Sequence, residues 1–222
     1  MSRSLPTKKE LYIFDKGYQL IGAMDEVGKG AWAGPVSVGV ILVDKKAVLE
    51  SSSIPEVSEL RDSKTLNSKT RCRLASFINS WVADCQVGHA SAQEIDAVGI
   101  DNAISLAALR AVNNLRYKPD YLLFDGPRPF IKDLVDYQAI IHGDRTCLSI
   151  AAASILAKVT RDNLMAKLAI DLPYYGLETN KGYGTKQHLI ALNGWGPSSI
   201  HRLSWQFMNK IIWLNSKKMQ VD

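Results

Sequence analysis

The stretch LIGAMDEVGKGAWAGPVSVGVILV, residues 20–43, constrains the fold more than any other part of this chain. It reads as two strands, Leu20–Met24 and Val36–Val43, joined by a glycine-rich turn. Helix-type and strand-type segments then alternate. A helix is expected after Asp62-Ser63-Lys64, where Leu74, Phe77, Ile78, Trp81 and Val82 recur at i, i+3, i+4, i+7 and i+8 as one apolar stripe. Cys85–Ala90 reads as another strand. Ser91-Ala-Gln-Glu94 is a capping-box pattern that opens a short helix. Asp101 is read as the cap of a longer one, with Ile104, Ala108, Ala111, Val112 and Leu115 on one face. Pro119 stops that helix. Tyr121–Phe124 reads as a buried strand ending at Asp125, and Gln138–Ile141 as a strand ending near Asp144. Residues 149–168 are helical and open with Ala151-Ala152-Ala153-Ser154, whose small side chains let the helix lie close to a neighbouring backbone. Such alternation defines an α/β domain with a central mixed sheet.

With 222 residues, the chain can bury a proper core in one compact unit. The expected division is a main domain over residues 1–180 and a basic loop with a helical extension over 181–222. The opening MSRSLPTKKELYIFDK has no apolar signal region, and no run is long and uncharged enough to span a bilayer, so neither export nor anchoring is expected. Cys72, Cys85 and Cys147 are odd in number, far apart and without a CxxC pair. That speaks against a disulfide framework or a thiolate zinc site and for a reducing cytoplasm. From Lys181 onward six basic residues face one acid, Asp222, which accounts for the whole net charge of +5. A basic end interleaved with Trp195, Trp205 and Trp213 suits a polyanion, although charge alone does not separate that from a solvated tail.

The chemistry lies where the expected strands end: at Asp25-Glu26, Asp125 and Asp144. One turn acid is ordinary. Several that converge repel one another, and such clusters usually hold cations. Oxygen donors without His or Cys favour Mg²⁺ or Mn²⁺ over zinc, and two such ions can serve phosphodiester hydrolysis. Adjacent residues on a regular strand point to opposite faces, so the first strand is expected to end or bulge at Glu26. Gly28-Lys29-Gly30 suits a backbone nest for a phosphate, and equally a plain turn. Lys181-Gly-Tyr183-Gly-Thr185 presents an aromatic ring between two cations, which suits stacking on a sugar or base, or an ordinary surface turn.

The segments MDEVGKGAWAGPV, LRDSKTL, FDGPRP, GDRTCLSIAAASILAKVTRD, NKGYGTKQH and GPSSIHRLSW resemble, in order, the successive blocks of ribonuclease HII, from about Ile21 to Trp205. The resemblance implies a ribonuclease H-like central mixed sheet flanked by helices, with a helical C-terminal part that helps hold the duplex. It implies an endonuclease that cuts the RNA strand of RNA–DNA hybrids and single ribonucleotides embedded in duplex DNA. The role would be ribonucleotide excision and hybrid clearance during DNA replication, carried out by a monomer. Asp25, Glu26, Asp125 and Asp144 would be the catalytic, metal-binding carboxylates. Asp25 and Asp125 would share the Mn²⁺ or Mg²⁺ ions, and the products would carry 3′-hydroxyl and 5′-phosphate ends. Gly28, Lys29 and Gly30 would contact the strand at the ribonucleotide. Tyr183 would sit against the ribose bearing the 2′-hydroxyl, and Lys64, Lys181 and Arg202 would contact phosphates. Thr185 and His201 would shape the same surface, while Asp162 is read as an ordinary helix residue. The family usually has Arg where this chain has Lys29, which keeps the charge but loses the planar fork. Ala31-Trp32 also places a bulky ring where the family often has a small or proline-like residue.

Three other readings compete. The sister ribonuclease HIII carries an N-terminal binding domain, for which 24 residues before Asp25 are too few. A proofreading-type exonuclease would set its acids in other contexts and does not account for the GYGT loop. An RNA-binding module leaves the strand-end acids unexplained.

Overall fold

The computed structural model describes residues 7–60 and 66–212. Five strands form one sheet: β1 (Leu20–Val27), β2 (Val36–Asp44), β3 (Asp84–Ala90), β4 (Tyr121–Asp125) and β5 (Asp136–Ile140), in the order β3-β2-β1-β4-β5. β1 pairs antiparallel with β2 and parallel with β4, and β4 pairs parallel with β5, so the sheet is mixed as expected. The helices are α1 (Lys8–Asp15), α2 (Lys45–Glu50), α3 (Pro55–Glu59), α4 (Ser68–Trp81), α5 (Ala92–Val98), α6 (Ile100–Asn113), α7 (Gly143–Thr146), α8 (Leu148–Asp171), α9 (Leu177–Asn180) and α10 (Lys186–Trp195). Among the described residues no helix is long and apolar enough to cross a membrane.

Local sequence explains most of these boundaries. The Asn67 side chain caps α4 by accepting from Thr70 N, so the helix begins later than Asp62-Ser63-Lys64, which lies outside the described residues. Leu74 and Ile78 of the expected stripe are buried, and Phe77 and Trp81 pack against the same core. Ser91 and Glu94 make the reciprocal capping box. Asp101 is not a cap: α6 already starts at Ile100, straight after Gly99, and Asp101 lies within its first turn. Ile104, Ala108, Ala111, Val112 and Leu115 are all buried, which bears out that face.

The chain forms two compact units. The first takes the residues up to Val27, Ser37–His89 and Ile104–Thr160; the second takes Gly28–Val36, Ala90–Ala103 and the residues from Arg161 on. The second unit thus begins before residue 181 and recruits two earlier segments. The core of the first unit gathers Ile21, Ala23, Ile41, Val43, Leu123 and Ile140 from the sheet with Ile78 from α4 and Ile150, Ile155 and Leu156 from α8. Each such large side chain contributes about 1.5–3 kcal/mol when fully buried. The core of the second collects Ala33, Met165, Tyr175, Leu177, Leu192, Met208 and Ile211.

Two close contacts fix the position of α8. A Cβ on Gly39 of β2 would lie 2.7 Å from the Ala153 carbonyl oxygen and 3.0 Å from the Ala157 methyl. Helix and strand meet backbone to backbone there, as the small-residue run of α8 requires. At the start of α8, the buried Glu10 of α1 accepts bonds from Ser149 N (3.0 Å), Ser149 Oγ (2.8 Å) and the Cys147 thiol (3.0 Å). Glu10 thereby caps a helix far along the chain, where a carboxylate meets unpaired N–H groups and the positive end of the helix dipole. All three cysteines are free, and Cys147 is buried.

Candidate active site

In the first unit the parallel strands β1 and β4 are in register at Met24 and Phe124, so the next residues, Asp25 and Asp125, leave that pairing at the same level. β1 does not end or bulge at Glu26. It continues to pair regularly with β2, Asp25 opposite Gly39, Glu26 opposite Val38 and Val27 opposite Ser37. Asp25 is therefore buried on one face of the strand while Glu26, half-buried, is directed to the other.

Asp125 Oδ1 accepts a bond of 2.7 Å from Gly143 N. Gly143 opens α7, and a Cβ there would lie 3.2 Å from that oxygen and 2.6 Å from Ile150 Cδ1, so a larger residue would crowd the carboxylate and displace the end of the Ile150 side chain. Asp144, the next residue, is buried. It belongs to a four-residue helix and not to a strand end, a correction to the expectation. The bond nevertheless ties its segment to the end of β4.

The carboxylates sense one another. The Asp25 carboxyl is pushed up to about 8, first by burial and then by the negative charges of Glu26, Asp125 and Asp144. Ser154 of α8 donates a hydrogen bond to Asp25 and pulls the other way. Three negative charges acting on one buried acid make an arrangement that a cation would relieve. In kind, this donor set fits a hard divalent ion. As the side chains stand, no group of three His, Cys, Asp or Glu among the described residues is disposed to hold a metal. Asp162 lies inside α8, as expected.

The second unit contains the expected substrate residues. Gly28, at φ +86°, opens the turn, and its carbonyl accepts from Ala31 N. Lys29 is exposed and 3.7 Å from Asp101. Arg202 departs from expectation. It is fully buried and donates to carbonyls only: Nε to Gly34 (3.1 Å), Nη1 to Lys29 (2.9 Å), and Nη2 to Gly28 (2.7 Å) and Gly34 (3.0 Å). A guanidinium so occupied holds the loop and presents nothing to a phosphate. Burial, and secondly the cation of Arg161, push its pKa down, yet it remains charged at neutral pH.

Arg161 was not anticipated. Also buried, it donates to the carbonyls of Pro35 (2.9 Å), Lys181 (2.9 Å) and Ala33 (3.3 Å), with its guanidinium carbon 5.4 Å from the centre of the Tyr183 ring. A lone Arg in the apolar run of α8 was the signal for it. The bulky Trp32 stacks on Phe207 with centroids 4.2 Å apart, and a Cβ on Gly184 would strike its ring at 2.2 Å. Thr185 caps α10 by accepting from His188 N. His201 is buried. Lys64 lies outside the described residues.

A five-stranded mixed sheet with acids at the shared end of its central parallel strands, flanked by helices, is a ribonuclease H-like fold. The ribonuclease H2 of Pyrococcus horikoshii OT3 superposes with a TM-score of 0.74 at 26% identity, covering 89% of this chain and 99% of that one. The family model of ribonuclease HII matches residues 21–208. Ribonuclease HII of Streptomyces coelicolor is 40% identical over 205 residues, 92% of this chain and 84% of that protein. That of Trichodesmium erythraeum is 44% identical over 195 residues, 87% and 90% of the two. The chain belongs to the ribonuclease HII family of enzymes.

Proposed function

We propose that this enzyme is an endonuclease that hydrolyses the RNA strand of RNA–DNA hybrids and cuts beside single ribonucleotides in duplex DNA. The observation that carries the reading is the buried Asp25, whose carboxyl is pushed up to about 8 with Glu26, Asp125 and Asp144 all acting on it. These four would hold Mg²⁺ or Mn²⁺. When bound, the ions would supply Lewis acidity and a water nucleophile at neutral pH. Asp125, steadied by Gly143 N, and Asp25, steadied by Ser154, would set the positions of the reacting groups. Cleavage of the bond between phosphorus and the 3′ oxygen leaves 3′-hydroxyl and 5′-phosphate ends.

Recognition falls mainly to the second unit. Gly28 and Gly30 are glycines for different reasons. A Cβ on Gly28 would lie 2.2 Å from Arg161 Nε, whereas one on Gly30 would meet nothing within 4 Å. No neighbour among the described residues requires Gly30, which fits a position that a nucleic-acid strand approaches closely. Lys29 would exchange Asp101 for a phosphate, and Lys181 and Lys64 would add charge. Arg202 and Arg161 would contribute a positive field from beneath the loop. Tyr183 would rest on the ribose whose 2′-hydroxyl distinguishes RNA from DNA. The cellular task would be ribonucleotide removal by a monomer.

Digestion of a DNA duplex containing one ribonucleotide, with Mg²⁺ and Mn²⁺ tested separately and EDTA as control, tests this reading. A single nick on the 5′ side of the ribonucleotide is expected. Activity that survives EDTA, or degradation from an end, would sink it.

A further inference from the structure

The second unit contains a chain of buried polar groups that the substrate assignments leave unused. His188 and His201 lie with their Nε2 atoms 3.0 Å apart. His188 Nδ1 is 2.9 Å from the Tyr183 carbonyl oxygen. His201 Nδ1 is 2.9 Å from both Ser198 N and Ser198 Oγ. Neither ring reaches the surface, at 0% and 2% exposure, so neither can touch a substrate.

These contacts fix every proton. A backbone N–H only donates, so His201 Nδ1 is bare, and a neutral imidazole then has its proton on Nε2. That proton faces His188 Nε2, which must accept. His188 is left with its proton on Nδ1, opposite a carbonyl oxygen, which only accepts. Any other assignment sets two N–H groups face to face. The relay therefore runs from Ser198 through His201 and His188 to Tyr183. Burial keeps both imidazoles neutral, lowering His201 to about 4, with His188 as the second cause, and lowering His188 as well. The Tyr175 ring packs 4.6 Å from His201, and Trp32 lies 5.5 Å from His188.

The relay ends on one of three consecutive carbonyls that are each held from outside their loop. Lys181 O accepts from Arg161, Gly182 O from Trp32 N (2.7 Å) and Ala33 N (3.1 Å), and Tyr183 O from His188. We infer that His188 and His201 are positioning residues, which act through the Tyr183 carbonyl to fix the direction in which the Tyr183 ring is presented. The inference rests on the proposed reading that Tyr183 meets the ribose.

Two measurements test it. Long-range ¹⁵N–¹H NMR of the intact protein should show His188 as the Nδ1–H tautomer and His201 as the Nε2–H tautomer, both still neutral at pH 6. The Nε2–H form of His188, or ordinary titration of either ring near 6.5, would overturn the relay whatever the activity. In kinetics, His188→Phe keeps a ring but donates nothing to Tyr183. It should lower kcat on a single embedded ribonucleotide on the order of tenfold, as for one lost hydrogen bond, with a smaller loss on a long hybrid. Tyr183→Ala should show the same selectivity, the double variant should lose no more than Tyr183→Ala, and His188→Asn, whose amide N–H takes the place of Nδ1–H, should recover part of the rate. Additive losses, or an unselective His188→Phe beside a selective Tyr183→Ala, would overturn the positioning role. An unselective Tyr183→Ala would instead overturn the ribose reading, while the tautomers would still decide the relay.

Discussion

The two units bury charge in opposite ways. In the first, Asp25 lies under the repulsion of three other carboxylates and has only Ser154 in its favour. In the second, Arg161 and Arg202 are as deeply buried, but every guanidinium nitrogen donates to a backbone carbonyl. A buried ion is tolerable when hydrogen bonds replace its hydration and expensive when they do not. Without metal the acid cluster therefore keeps a proton on Asp25 up to about pH 8, whereas the arginine clamp stays charged on its own hydrogen bonds. This is the difference expected between the proposed metal site and a scaffold that holds a loop still.

The largest effect should come from neutralising the cluster. Asp125→Asn keeps the acceptor for Gly143 N but weakens metal binding, so cleavage at saturating Mn²⁺ should fall at least ~1000-fold, a difference of about 4 kcal/mol. The same variant should melt higher than the parent without metal, by on the order of a kcal/mol, because repulsion is relieved. A variant that melts lower and still cuts would return Asp125 to an ordinary turn residue. The clamp should respond in the reverse sense. Arg202→Met leaves the carbonyls of Gly28, Lys29 and Gly34 without their donor and should destabilise the protein by roughly 3 kcal/mol, read by urea melts. A loss under about 1 kcal/mol would mean that water replaces the guanidinium.

The pH dependence of stability should separate the two regions next. Asp25 is raised from 3.8 to about 8, so between those values the metal-free fold binds a proton that the unfolded chain has released. Stability should therefore fall as pH rises through that window. Asp25→Asn or excess divalent cation should flatten the decline. His201 is lowered from 6.5 to about 4, so its contribution is complete above 6.5 and is lost as pH falls toward 4. A decline at high pH that survives in Asp25→Asn would remove Asp25 as its source. The smallest effect belongs to Lys29. Its pair with Asp101 is more than half exposed on both sides and adds little to stability. Lys29→Ala should leave melting unchanged, raise KM and reduce the salt slope of binding by about one. An unchanged slope would mean that Lys29 meets no phosphate.

The sheet and the placing of Asp25 and Asp125 on its central strands were readable because a strand's alternation and its terminal turn are local signals. Leu20–Met24 and Tyr121–Phe124 announce themselves, and Asp25 and Asp125 come directly after them. Asp144 was set on the wrong element, since a four-residue helix has too few residues for a period. Arg202 was misread for a different reason. Its charge is visible in the sequence, but its partners are carbonyls about 170 positions away, which no side-chain pattern reveals. Arg161 and Glu10 share that condition, through Pro35, Ala33 and Ser149, while His188 faces the nearby Tyr183 carbonyl and His201. The neutral hydroxyl of Ser154 escaped notice because its run AAAS reads as packing alone.

The seat of Cys147 has a practical consequence. Its thiol is enclosed beside Glu10 and Ser149, and burial and the Glu10 charge push its pKa well above the ordinary thiol value. A thiolate is the reactive form, so the native thiol should be inert to alkylating reagents. Cys72, exposed on α4, should label at once. The chain thus carries its own stopwatch and its own zero mark. The slowest modification, after Cys72 and the half-buried Cys85, would time how often the junction between α7 and α8 opens, without any introduced probe.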